Sequence, residues 1–149
     1  MQASHAPANS PAVPNHILVV DDDSGICEII AILLKSDGHR VDTANNGDAG
    51  WAALRTKPYD LMVTDHMMPG LTGLDLLRRV RAVPLAIPCI LMSGEIPWQA
   101  PDLPALLQPG AVVEKPFSLL ELRIMVRELL RGILTAPPLA GLNLSLRVN

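Results

Sequence analysis

The sequence predicts a doubly wound α/β fold, one parallel sheet with helices packed on both faces. Three observations predict it. Short apolar runs of strand length alternate with segments of helical period. The stretches that join successive runs suit crossover helices and are too long for hairpins. The runs also tend to close on a polar residue or a turn, as strands of an open α/β sheet do.

Residues 17–20 form the first run, ended by Asp21, Asp22 and Asp23. Asp23 or Ser24 can cap the next helix, whose apolar positions Ile26, Ile29, Ile30, Leu33 and Leu34 share one face. Gly38 ends it as a C′ residue would. A strand is expected over 40–44, and Asn46 can cap a helix that runs to about Lys57, where Pro58 stops it. The third strand, 61–64, is closed by Asp65. Met68-Pro69-Gly70 makes a turn, and Thr72 can cap a helix carrying Leu74, Leu77 and Val80. Pro84 and Pro88 mark a loop before the fourth strand, 89–92, which Ser93-Gly94 closes. Pro97, Pro101, Pro104 and Pro109 break the stretch 95–110, so no regular helix is expected there and it reads as a mobile loop. The fifth strand, 111–114, is closed by Lys115-Pro116, and Ser118 caps a helix to about Leu134.

Outside residues 16–134 the pattern changes. Residues 1–15 are rich in Pro, Ala, Ser and Asn without periodicity, and a disordered leader is expected. They carry no basic or apolar region of a secretory signal. In the tail, 135–149, Leu142, Leu144, Leu146 and Val148 alternate with polar residues. That pattern suits an extra strand over 142–148 or a frayed end, and the residues leave both open.

Composition bounds the function. The 149 residues suffice for one domain with its own core. A net charge of −3 provides no basic field, so neither nucleic acid nor an anionic membrane surface is an expected partner. No apolar run is long enough to span a bilayer. Cys27 and Cys89 both lie in apolar runs and read as buried thiols of a reducing compartment, with the cytoplasm the default.

The chemistry-bearing residues share one end of the fold. Asp21–Asp23 follow the first strand, Asp65 the third, Ser93 the fourth and Lys115 the fifth. In an open α/β sheet that end is where ligands bind. Singly, each residue reads as a cap, a turn or a solvated side chain. Together they offer hard oxygen ligands suited to Mg²⁺. Asp21, Asp22 and Asp65 bring a charge of about −3, against about +3 from Mg²⁺ and Lys115. That balance lets one carboxylate approach an anionic phosphoryl group, and phosphoryl transfer is mostly positioning and electrostatic stabilisation.

The set V-V-D-D-D, D-x-x-M-P-x-x-x-G from Asp65 to Gly73, L-M-S-G and K-P-F resembles the receiver domain of two-component response regulators, of the single-domain, chemotaxis-regulator-like kind. The resemblance spans about residues 15–134. It implies a five-stranded sheet in the order 2-1-3-4-5, a flavodoxin-like arrangement. It implies Asp65 as phosphoacceptor, with Asp22 ligating Mg²⁺ directly, Asp21 largely through water, and the carbonyl of Met67 as a further ligand. Ser93 matches the hydroxyl that binds the phosphoryl group, and Lys115 the lysine that contacts its oxygens, through a cis bond to Pro116. Asp23 reads as a helix cap. The implied donor is a histidine kinase or a histidine phosphotransfer protein, and the output is a change in binding to a downstream protein rather than turnover of a separate substrate.

Two positions depart from the family. An aromatic often stands three residues before the lysine, where this chain has Val112. Prolines also break the place of the fourth helix, so the usual output face is altered. Phosphorylation is expected to order the 95–110 segment instead, with Trp98 part of what a partner reads. About fifteen residues follow the last helix, fewer than a DNA-binding module needs, so direct transcription control is not expected.

Arg123, Arg127 and Arg131 stripe the last helix and read as a solvated face before a docking site. Two other functions compete. A scaffold receiver without phosphotransfer sits poorly with the intact acidic pair, Asp65, Ser93 and Lys115. A haloacid-dehalogenase-type hydrolase carries D-x-D-x-[T/V] after its first strand, whereas Asp21–Gly25 ends in Gly, and the chain is not expected to have room for a cap domain.

Overall fold

The computed structural model describes residues 14–132. Nearly all of the expected leader, and the tail for which an extra strand over 142–148 or a frayed end is expected, lie outside the described residues. The order of elements is β1 (His16–Val20), α1 (Ser24–Ser36), β2 (Arg40–Ala44), α2 (Gly47–Thr56), β3 (Leu61–Asp65), α3 (Gly73–Ala82), β4 (Cys89–Ser93), α4 (Leu103–Leu106), β5 (Gly110–Glu114) and α5 (Leu119–Leu130). The strands form one sheet in the order β2-β1-β3-β4-β5, and every pairing is parallel. Fold class and strand order are those expected.

Continuous apolar strands arise because both faces of the sheet are covered. Leu18, Val20, Met62 and Leu91 pack with α2, α3 and α4 on one face. Their neighbours Ile17, Val19, Val63 and Ile90 pack with α1 and α5 on the other. Alternate side chains of one strand thus feed two cores, and each fully buried Leu or Ile contributes about 1.5–3 kcal/mol. Both cysteines are buried and unpaired, as expected, and burial pushes the Cys89 thiol up to about 11.

Local chemistry sets the helix ends. The Asp23 carboxylate accepts from the N–H groups of Gly25 and Ile26, which makes it the α1 cap. Asn46 caps α2, while Thr72 with Asp75 and Ser118 with Glu121 form capping boxes on α3 and α5. The last helix stops at Leu130 rather than near Leu134, because Gly132 takes φ +76 and turns the chain there.

The segment 95–110 differs from the loosely held loop that its prolines suggest. It contains a single helical turn, α4, with Pro104 in its first turn, where no backbone N–H is needed. Ile96, Leu103, Leu106 and Leu107 are buried against the α3 side of the sheet. Two arginines of α3 bind the segment from outside. Arg78 grips Asp102 through two bonds, Nε–Oδ2 2.7 Å and Nη2–Oδ1 3.2 Å. Arg81 donates to four carbonyls, those of Leu85 (3.1 Å), Ile87 (2.8 Å), Leu106 (2.9 Å) and Pro109 (2.8 Å). It therefore ties together the loops that precede β4 and β5. Replacing Arg81 with Met keeps the bulk but strands these acceptors, and urea denaturation should show a loss of about 3 kcal/mol.

Candidate functional site

The carboxyl ends of the strands bring the expected residues together. Asp21, directly after β1, is 1% exposed, and Asp65, the last residue of β3, is 4% exposed. The Asp21 backbone N–H donates to the Ala44 carbonyl, and its Oδ1 accepts from the Asp23 N–H at 2.9 Å. Asp22 points to solvent, yet carboxylate oxygens of Asp21, Asp22 and Asp65 all lie within 4.8 Å of one another. Lys115, just beyond β5, places Nζ 3.0 Å from Asp65 Oδ1 and 3.5 Å from Asp21 Oδ2. Its bond to Pro116 is cis, as the resemblance implied.

Ser93, the last residue of β4, is fully buried beside this group. Its hydroxyl donates to the Glu95 carbonyl at 2.8 Å and accepts from the Glu95 N–H at 3.0 Å. The Lys115 N–H donates to the Ser93 carbonyl at 2.8 Å, which joins the two strand ends. Met67 lies in the turn after β3 and is 64% exposed. Val112 is buried in the core on the α3 side, where the family often has an aromatic.

Behind Asp65 stands a clamp that the residue types alone do not announce. His66 donates its backbone N–H to Met92 O at 2.8 Å, and its carbonyl accepts from the Gly73 N–H at 2.9 Å. Its ring Nδ1 accepts from the Leu74 N–H at 3.3 Å, so the start of α3 is held against the end of β3. A lone His after an Asp carries no sequence signal for such a role. Burial lowers the pKa of this ring, which suits a neutral acceptor.

Electrostatics show what the cluster accepts. Burial, with the Asp65 charge adding to it, pushes the Asp21 carboxyl above its ordinary range, against the Asp23 N–H and Lys115. Burial acts to lower Lys115, but its hydrogen bond to Asp65 and the charges of Asp21 and Asp65 raise it overall. Three carboxylates thus face one ammonium, and the most buried of them resists ionisation. A divalent cation with oxygen preference offsets that imbalance, so the donor set fits Mg²⁺.

A doubly wound sheet with this acidic cluster and lysine at its carboxyl end has the architecture of a signalling receiver. The family model described as the response regulator receiver domain matches residues 17–127, and the chain belongs to that family. It is 36% identical over 118 residues to the uncharacterized transcriptional regulatory protein YkoG of Bacillus subtilis, covering 78% of this chain and 51% of that one. It is 34% identical over 120 residues to the probable transcriptional regulatory protein TcrX of Mycobacterium tuberculosis, covering 79% and 50%. The chain thus spans about half the length of the curated relatives it matches. Among solved structures, the response regulator TrrA of Thermotoga maritima, in complex with Mg²⁺-BeF, superposes with a TM-score of 0.68 at 31% identity, covering 77% of this chain and 98% of that one. The chemotaxis response regulator CheY4 of Vibrio cholerae shares the fold, with a TM-score of 0.71 at 24% identity, covering 78% and 99%. Among the described residues, no helix is long and apolar enough to cross a membrane.

Proposed function

We propose that this receiver takes a phosphoryl group onto Asp65 from a phosphohistidine on a histidine kinase or a histidine phosphotransfer protein. The observation that supports it best is Lys115 Nζ at 3.0 Å from Asp65 Oδ1, beside carboxylates gathered within 4.8 Å. A carboxylate oxygen of Asp65 attacks phosphorus, and the P–N bond of the donor breaks. The electron pair leaves with the imidazole nitrogen, which takes a proton, and Asp65 holds an acyl phosphate. Lys115 then balances the added charge from where it already stands. The Ser93 hydroxyl must leave the Glu95 carbonyl to donate to a phosphoryl oxygen, a stronger charge-assisted bond. Attack of water on phosphorus later breaks the acyl P–O bond and restores the carboxylate.

Asp21, Asp22, Asp65 and the Met67 carbonyl are the residues proposed to hold Mg²⁺. When bound, the ion neutralises carboxylate charge and offers a ligand position to the incoming phosphoryl oxygen. The domain is proposed to occupy 16–134 and to act in the cytoplasm by changing its binding to a downstream protein. It acts as an acceptor rather than an enzyme on a separate substrate. Its residues are not proposed to contact nucleic acid.

Incubation of the chain with a small acyl phosphate and Mg²⁺ tests the assignment. One hydroxylamine-labile phosphoryl group per chain is expected, on the peptide that contains Asp65, and a chelator should suppress it. Labelling on a different peptide, or equal labelling with chelator present, contradicts the proposal.

A further inference from the structure

The arginine stripe of α5 borders a cleft at the opposite end of the sheet from Asp65. The cleft has a volume of about 350 Å³, within the range of small-ligand sites. Asn15, just before β1, and Asp37 and His39, between α1 and β2, contribute to its wall, as do Arg123 and Arg127 of α5 and Arg131, the residue that caps its end. Arg123 is paired, with Nε 2.9 Å from Asp37 Oδ2. Arg127 and Arg131 make no side-chain hydrogen bond or ion pair among the described residues. All 15 Asp and Glu residues of the sequence fall between Asp21 and Glu128, so no acidic side chain of the leader or tail can neutralise them. Asp60, the other carboxylate felt at His39, lies outside the wall and accepts from the His16 N–H.

A second observation points the same way. His39 Nδ1 is the buried side-chain nitrogen left without a hydrogen-bond partner among the described residues; His39 lines this cleft, and a ligand there reaches that nitrogen only if the ring turns. Leaving such a group unpaired is costly, so an orphan in a native fold calls for a reason. Basic residues at a helix C-terminus are favoured in any case by its carbonyl ends. That accounts for neither the cleft nor the orphan nitrogen. Guanidinium forks spaced about 6 Å apart along a helix can bind an anion with several oxygens through paired bonds.

We infer that this cleft, formed where Arg127 and Arg131, without side-chain partners among the described residues, meet His39 and Asn15, binds a compact phosphate anion carrying two or more negative charges. Phosphate is favoured over carboxylate because its groups present more acceptor oxygens to donors that approach from both α5 and the sheet edge. The ligand reaches this face whether or not Asp65 is phosphorylated.

Calorimetric titration of the full chain with pyrophosphate, without Mg²⁺, tests the inference. Saturable binding is expected, and the Arg127→Ala/Arg131→Ala chain should bind at least tenfold more weakly. Both side chains are exposed, so thermal unfolding of the ligand-free variant should match the parent. Phosphatidylcholine vesicles containing phosphatidic acid separate the sources. Vesicle binding that pyrophosphate competes away assigns a lipid headgroup, and pyrophosphate binding without vesicle binding assigns a free phosphate. Absence of saturable binding, undiminished binding by the double variant, or equally tight binding of citrate overturns the inference.

Discussion

The Asp65→Asn chain is expected to take no phosphoryl group from an acyl phosphate while remaining folded. The substitution keeps the shape of the side chain but removes the anionic oxygen that would attack phosphorus. It also removes the closer of the two carboxylates that hold Lys115, at 3.0 Å, and leaves Asp21 Oδ2 at 3.5 Å. Asp21 and Lys115 respond in opposite ways. Asp21 loses a negative neighbour and ionises more readily, whereas Lys115 loses a negative charge that raises it and keeps at most a neutral acceptor in its place. These changes oppose each other, so stability should shift by no more than about 1 kcal/mol, with Asp21 still able to pair with the ammonium. Mass spectrometry after labelling, with a thermal melt on the same sample, reads both outcomes. An Asn chain that labels as well as the parent places the acceptor elsewhere.

Much of this arrangement is legible in the sequence for identifiable reasons. The strands stand out because both sheet faces are buried, which forces continuous runs such as Ile17–Val20 between polar ends. The helix starts stand out because Asn46, Thr72 and Ser118 perform local capping that depends on a few residues. Asp21, Asp65, Ser93 and Lys115 are legible because each closes or directly follows a strand and parallel strands end on one side. The rest depends on contacts that residue types do not encode. Arg81 reads as one more helix cation until its carbonyl partners at Leu85, Ile87, Leu106 and Pro109 are seen. Prolines counted over 95–110 suggest a loose loop, but Pro104 falls in a first turn and the leucines around it are core. The Ser93 bond to Glu95 and the His66 ring bond to Leu74 are likewise matters of geometry.

Gly73 joins motif to mechanism, and Gly73→Ala should damage both fold and site. A Cβ there would overlap the carbonyl oxygen of Asp65 and lie 2.8 Å from His66 Cα and 2.9 Å from the Asp65 carbonyl carbon. All three are backbone atoms at the end of a buried strand, so no flexible side chain can give way. The motif's glycine is therefore required for close approach of α3 to β3, and the Gly73 N–H bond to His66 O records that approach. Adding one methyl should cost about 3 kcal/mol, near the upper end for overpacking, because the start of α3 or the end of β3 must move. Either movement displaces the Asp65 backbone and with it the carboxylate that faces Lys115. A displacement near 1 Å at a reacting group slows transfer by about a hundredfold, so labelling by acyl phosphate should fall by that order even in the fraction that stays folded. Urea denaturation and initial labelling rates measure the two effects separately. Parent-like stability with parent-like labelling would mean that α3 can withdraw from β3 without disturbing the acceptor, and that the glycine is not what seats it.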